Sequence, residues 1–539
     1  MNVKKILKAE EKNIEKEDLN RKILRNEKSK KIARQLFFSR TVITLIALAA
    51  QLGLLLFFLI NLSSRIEVYL SGSVFLSLGF MIYIANNKCK NEYKIAWIVP
   101  VVIFPLVGIT CYFLYHTDWG GRKLKKQVTK IDSDLDLFLS KKEDAEKILK
   151  QYPDFENLGR YIFNEGHFFP HQETSAKYYS CGEKFYPDFL EMLMSAKKFI
   201  FIEFFIIRVE ESWDRILQIL KQKVKEGVDV RVMCDGVGTY MVSALDYQKY
   251  LKSLGIKAKV FSKLYPIVST PINNRDHRKI VIVDGKYGFT GGLNLSNEYF
   301  NIGKNKFPYW KDTGVIIRGR AIVDLMRMFL EIWNINEKVK DDYANYLFLE
   351  YPPVESDGLV IPYGDHAFNG EDLAENICLD IINTSKKYLY ITSPYVIVDN
   401  QILSSLTFAA KRGVDVRIVV PSRPDHVGAF CVGKTFLKDL IDEGVRIFLY
   451  KKGFTHAKGF IADGRIATVG SINLDYRSFY AHFECGALLY ECSAIADIKE
   501  DFDSMFENDC VEMKQDDYKK LPLIQRFAGR ILRIFGPLM

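Results

Sequence analysis

Two copies of one pattern bring together residue types able to attack a phosphodiester. The first is His277-Arg278-Lys279, then Asp284, then Gly291-Gly292-Leu293-Asn294. The second is His456-Ala457-Lys458, then Asp463, then Gly470-Ser471-Ile472-Asn473. Both read H-x-K-x4-D-x6-G-[GS]-x-N without a gap, in apolar runs that end in a glycine turn. Residues two apart on a strand project to the same face, so imidazole and ammonium of each copy reach one pocket. Cleavage of a diester with an alcohol leaving group needs a nucleophile and a proton donor. The duplication supplies both histidines. Two lysines can hold the non-bridging oxygens, a task otherwise given to a metal ion.

The other motif positions divide. Asp284 and Asp463 belong to the repeated catalytic pattern, yet each lies five residues beyond its lysine and points the other way on a continued strand. They read as supports of the turn. Asn294 and Asn473 follow glycine turns, where an amide can donate to a phosphate oxygen. A nucleophilic histidine also needs an acceptor for its second ring nitrogen. Asp312 lies 35 residues after His277, and Glu484 lies 28 after His456. Each is expected to orient the histidine that precedes it.

These residues have to be positioned by a repeated fold. Residues 195–202 (SAKKFIFI) are echoed by 384–391 (TSKKYLYI), and 225–232 (KEGVDVRV) by 411–418 (KRGVDVRI). Continuous apolar strands alternating with helices imply an α/β sheet covered on both faces. The expected architecture is two duplicated sandwich domains in a pseudo-twofold pair, at 161–345 and 346–510. A connector at 117–160 precedes them, and a C-terminal amphipathic helix at 511–539 follows. In that helix Arg526, Arg530 and Arg533 line one face, and Phe527, Ile531 and Ile534 the other. It suits a bilayer interface or a docked position on the domain.

The front of the chain differs in kind. Residues 1–40 carry 13 Lys/Arg and six Asp/Glu, and the arm 1–36 suits an anionic membrane surface. Three apolar segments follow within 37–116, at 41–62, 68–85 and 95–115. The first is long enough for a helical span. The third contains Pro100 and Pro105 and is either a third span or a re-entrant hairpin. Lysines after the second segment and basic residues 122–126 favour the inside, so the globular part is expected on the cytoplasmic face. Nine cysteines have no metal-ligand spacing, which argues against a zinc site and a disulfide framework. No metal or other cofactor is expected.

The paired motifs resemble the phospholipase D superfamily. Residues 273–279 (NNRDHRK), 310–313 (WKDT), 393–395 (SPY) and 473–479 (NLDYRSF) are similar to bacterial cardiolipin synthases. So are 95–98 (IAWI) and 105–108 (PLVG). The resemblance covers roughly residues 93–539 and departs in front, where the family often has two hydrophobic segments. It implies phosphatidyl transfer between two phosphatidylglycerol molecules, giving cardiolipin and glycerol through a phosphohistidine. His277 would be the nucleophile and His456 the general acid and base. Lys279, Lys458, Asn294 and Asn473 would hold the phosphate, with Asp312 on His277 and Glu484 on His456. The partners would be phosphatidylglycerol and the anionic surface of a bacterial cell membrane, with no nucleic acid. A hydrolytic phospholipase D shares every motif. A nuclease has no use for membrane segments, and an inactive lipid-binding scaffold does not require both motifs intact.

Overall fold

A computed structural model describes residues 48–53, 64–116, 119–138, 141–240, 246–262, 273–349, 354–355 and 358–538. The basic arm and most of segment 41–62 lie outside them.

The echoed sequences form equivalent strands in two sheets. The first sheet contains β1 (Thr174–Tyr179), β2 (Phe199–Phe204), β3 (Asp229–Asp235), β4 (Lys257–Phe261), β5 (Lys279–Val283), β6 (Tyr287–Gly291) and β7 (Gly314–Gly319). Its order is β1-β7-β6-β5-β2-β3-β4. The second contains β8 (Leu359–Asp365), β9 (Tyr388–Thr392), β10 (Asp415–Pro421), β11 (Arg446–Tyr450), β12 (Gly459–Ala462), β13 (Ile466–Gly470), β14 (Glu484–Tyr490) and β15 (Cys510–Met513). Its order is β8-β14-β13-β12-β9-β10-β11-β15, the first order with one strand added at the edge. Parallel β2–β3–β4 and β9–β10–β11 carry the helical crossovers, and the motif strands β5 and β12 join antiparallel to β2 and β9.

One apolar core runs between the halves. It includes helix Ile322–Trp333, helix Leu373–Thr384 and residues of both sheets such as Ile280, Ile361 and Ile461. A second core packs helices Gly182–Met194 and Glu211–Lys225 on the outer face of the first sheet. The two halves therefore share a buried face, and both motif strands lie in the middle of their sheets.

The third apolar segment is not one straight helix. Helix Asn91–Ile103 contains Pro100 and ends at Phe104, whose backbone leaves the helical region at φ −133°, ψ 77°. A second arm starts at Pro105 and runs to Cys111. The arms press together at Gly108, where a Cβ would stand 2.5 Å from the Val101 nitrogen. The 13-residue and seven-residue arms reach about 20 and 10 Å, short of a hydrocarbon core of about 30 Å. Segment 95–115 thus forms a helical hairpin, the alternative its prolines left open. Among the described residues no helix is long and apolar enough to cross a membrane. The C-terminal helix Leu523–Arg533 docks on helix Val427–Asp442 through Gly529 and the Arg533–Asp439 ion pair (2.5 Å). It still leaves Leu523, Ile524 and Phe527 exposed.

Candidate functional site

The two motifs meet because each half inserts a strand beside the other. Trp310–Lys311 pairs in parallel with Phe454–Thr455, and the His456 N–H donates to the Lys311 carbonyl at 2.7 Å. In the mirror arrangement Asp276 bridges to Phe483, and the His277 N–H donates to the Phe483 carbonyl at 2.9 Å. Each histidine is thereby bonded to the residue that precedes the other half's acid.

The acids are consequently crossed. His277 Nδ1 lies 2.9 Å from both carboxylate oxygens of Glu484, and His456 Nδ1 lies 2.7 Å from Asp312 Oδ2. This reverses the expectation that Asp312 serves His277 and Glu484 serves His456. The cause is backbone pairing between halves, which places each acid beyond its own motif and beside the other. An ionised carboxylate only accepts, so Nδ1 of each ring carries the proton and Nε2 is left for chemistry.

The two acids are held differently. Glu484 also accepts from the Ser471 and Ser478 hydroxyls, the latter at 2.8 Å. Burial opposes its charge, but His277 and His482 hold its carboxyl well below the usual range. Asp312 accepts the Thr313 N–H at 2.8 Å on its other oxygen. Gly292 occupies the place of Ser471 in the first motif, and a Cβ there would stand 2.1 Å from Asp312 Oδ1. The Gly/Ser difference between the motifs thus matches the Asp/Glu difference between the acids.

Burial sets the protonation of the rest. It pushes His277 down to about 3, against the upward pull of Glu484, and His456 down to about 4, where Lys458 adds to the fall and Asp312 opposes it. Both rings are neutral at ordinary pH. Lys279 and Lys458 are buried and lowered by desolvation to about 8 and about 7. Lys279 Nζ donates to the His277 carbonyl at 2.6 Å, and Lys458 Nζ to the His456 carbonyl. Lys458 Nζ also lies 2.6 Å from His456 Nδ1. Because Asp312 can only accept, the Nδ1 proton goes to the carboxylate.

Asp284 and Asp463 stand outside this site. Each adopts a left-handed backbone, at φ 55° and 54°. The Asp284 carboxylate accepts the backbone N–H groups of Lys197, Lys198 and Phe199 at 2.6–2.8 Å. Asp463 does the same for Lys386, Lys387 and Tyr388 at 2.7–2.9 Å. They tie the hairpin after each motif strand to the entry of β2 or β9, so their place in the catalytic set is corrected to turn support. Asn294 is buried; its side-chain carbonyl accepts from Ile206 N, and one of its two amide hydrogens goes to the Tyr299 hydroxyl at 2.9 Å. The buried Oδ1 of Asn473, an acceptor, has no hydrogen-bond partner among the described residues.

Several residues around the site carried no assigned role in the sequence. Arg278, the variable position of the first motif, is buried. It donates to Glu331 at 2.7 Å and to the Glu484 carbonyl at 3.3 Å, bracing the acid of its own neighbour. Ala457 at the matching position cannot do this. His482 lies 3.5 Å from Glu484 and 5.6 Å, ring to ring, from His277.

Folding also creates acid/histidine groups that linear spacing hides. His277, His482 and Glu484 converge, as do Asp132, Glu331 and His366. In the first, His277 Nδ1 and Glu484 already bond each other. In the second, the Arg278 guanidinium occupies Glu331 and opposes a cation. Neither group suits a resident metal well.

Two repeated α/β halves that build one buried two-histidine centre define a duplicated α/β fold of the phospholipase D-like kind. The family model described as cardiolipin synthase, PLD-like domain, matches residues 189–333 and 378–506, and the chain belongs to that family. It is 38% identical over 464 residues to an uncharacterized protein of Streptococcus mutans, covering 86% of this chain and 100% of the other. It is 32% identical over 467 residues to cardiolipin synthase 2 of Bacillus cereus, covering 86% and 89%. The crystal structure of phosphatidylserine synthase from Haemophilus influenzae superposes with a TM-score of 0.54 at 14% identity, covering 71% of this chain and 98% of that one. At that identity the likeness concerns the fold alone.

Proposed function

We propose that the protein is a cardiolipin synthase that transfers a phosphatidyl group between two phosphatidylglycerol molecules. The crossed His277–Glu484 and His456–Asp312 pairs carry this reading, since they supply two oriented, neutral imidazoles in one site. His277 Nε2 attacks the phosphorus of the donor lipid, a phosphorus–nitrogen bond forms, and the bond to glycerol oxygen breaks. His456 gives that oxygen a proton and glycerol leaves. The anionic diester raises the proton affinity of the nearby imidazole, which lets His456 hold the proton it donates. It then takes the proton of the second lipid's glycerol hydroxyl, whose oxygen attacks phosphorus and releases His277. Lys279 and Lys458 neutralise the charge on the non-bridging oxygens, with Asn473 beside them. No step needs a metal.

In this reading the arm 1–36 and the segments 41–62 and 68–85 anchor the chain in a bacterial cell membrane. The hairpin of segment 95–115 enters one leaflet, with Ile103 and Phe104 exposed at its tip. The two halves, 161–345 and 346–510, work at the cytoplasmic face, where phosphatidylglycerol in the same bilayer outcompetes water as acceptor. The test is incubation of the purified chain in detergent with labelled phosphatidylglycerol. Cardiolipin and free glycerol should appear together. Dominant phosphatidic acid under lipid-rich conditions would instead identify a hydrolase.

A further inference from the structure

A cleft of about 1310 Å³ opens between the hairpin and the second half. This exceeds ordinary small-molecule pockets of roughly 300–1,000 Å³. Its walls carry Lys88, Lys94, Arg122, Lys125 and Arg477. Among the described residues none of these five forms an ion pair with a carboxylate. Lys94 and Arg477 reach only the carbonyls of Ala85 and Leu538, at 3.0 and 3.4 Å. The single acidic residue of the lining, Asp372, lies 3.3 Å from Lys90 and is already matched. Trp97 and Tyr115 of the hairpin close one side. The other side includes Asn274 and Ala481, bonded to each other at 3.0 Å. Asn274 precedes His277 by three residues, and Ala481 precedes His482, whose ring neighbours His277. The cleft therefore borders the buried centre.

Unmatched cations beside interfacial aromatics suit an anionic phosphodiester whose acyl chains stay at a membrane surface. The reaction involves two phosphates, and only one reacts at a time. Lys279 and Lys458 serve the reacting one, so the other needs cations of its own. We propose that this cleft binds the non-reacting phosphodiester of the acceptor glycerophospholipid and so presents its free hydroxyl to the centre. The inference rests on the transferase reading and adds the acceptor subsite to it.

The test uses the full chain carrying Lys88→Gln, Arg122→Gln and Lys125→Gln. Dihexanoyl phosphatidylglycerol is held below its micellar concentration, so no lipid surface is present. Removing three cations takes away charge-assisted contacts to one phosphodiester. The expected result is a rise of about ten-fold or more in KM for transfer, with a larger share of water-derived phosphatidic acid. Arg122→Lys should restore part of the affinity, which a merely structural role would not give. Unchanged KM and product ratio in the triple variant would overturn the cleft assignment and leave transfer by the unaltered chain intact. An effect seen on vesicles but absent on monomeric lipid would overturn it too, as simple surface attraction. If the unaltered chain only hydrolyses, the transferase reading fails by itself. Equilibrium binding of the same lipid then decides the cleft, and equal affinities of chain and variant would overturn it.

Discussion

Replacing the two acids separately should give different enzymes, because each acid belongs to the histidine of the other half. Glu484→Gln removes the ionised partner of His277, and Asp312→Asn removes that of His456. A hydrogen bond to a charged group contributes about 1.5–3 kcal/mol. At about 1.4 kcal/mol per factor of ten, that is roughly 10- to 150-fold in rate. Glu484 falls toward the upper end, since the substituted amide also has to satisfy Ser471 and Ser478. Asp312 falls toward the lower end. The assay is stopped-flow release of nitrophenol from a nitrophenyl phosphodiester lipid, whose leaving group needs little protonation. Glu484→Gln should lose the burst, as His277→Ala does. Asp312→Asn should keep the burst and slow the turnover that follows, as His456→Ala does. If Glu484→Gln behaves like His456→Ala, and Asp312→Asn like His277→Ala, the crossed pairs do not govern the chemistry and the reasoning fails.

Asp463→Ala orphans three backbone donors and should lower stability by about 1–3 kcal/mol, read as a lower melting temperature, while kcat per folded molecule stays near that of the parent. A large loss of kcat in folded protein would return Asp463 to the catalytic set. In the pH profile of kcat, which reports the substrate-bound state, neither the nucleophile nor the lysines should limit the rate between about 4 and about 7, because His277 stays neutral above about 3 and Lys458 stays charged below about 7. Above about 7 to 8 it should fall as Lys458 and then Lys279 lose their protons, and a rate still climbing from 7 to 9 would contradict the role given to the lysines. Chelator should leave transfer nearly unchanged. Loss on chelation with recovery on adding zinc or magnesium would point to one of the two acid/histidine groups.

The repeat, the shared face of each His–Lys pair and the turn position of the two aspartates follow from period-2 geometry and short echoes, so they were legible in the sequence. The crossing of the acids was not. Glu484 is 207 residues from His277 and Asp312 is 144 from His456. Nothing local to 312 or 484 records that the adjoining strands pair between halves. The place of Asn294 after a glycine turn is visible in the sequence, but the bond of its amide to the Tyr299 hydroxyl depends on the short helical turn Asn297–Phe300. Ser471 opposite Gly292 was printed in the motif as a variable position, and only the neighbouring acids give it meaning. Pro100 and Pro105 left a span and a hairpin both open, and the close approach of Gly108 to Val101 that folds the segment back has no mark in the sequence.

The central claim is that one centre built by both halves passes the phosphatidyl group through His277. Its most direct test is mass spectrometry of peptides from His456→Ala quenched during the burst with the nitrophenyl donor. The account predicts a phosphatidyl adduct on the peptide that contains His277, and none in His277→Ala. An adduct on His456 in His277→Ala, with none on His277 in the other variant, would reverse the roles. No adduct in either would contradict the covalent mechanism.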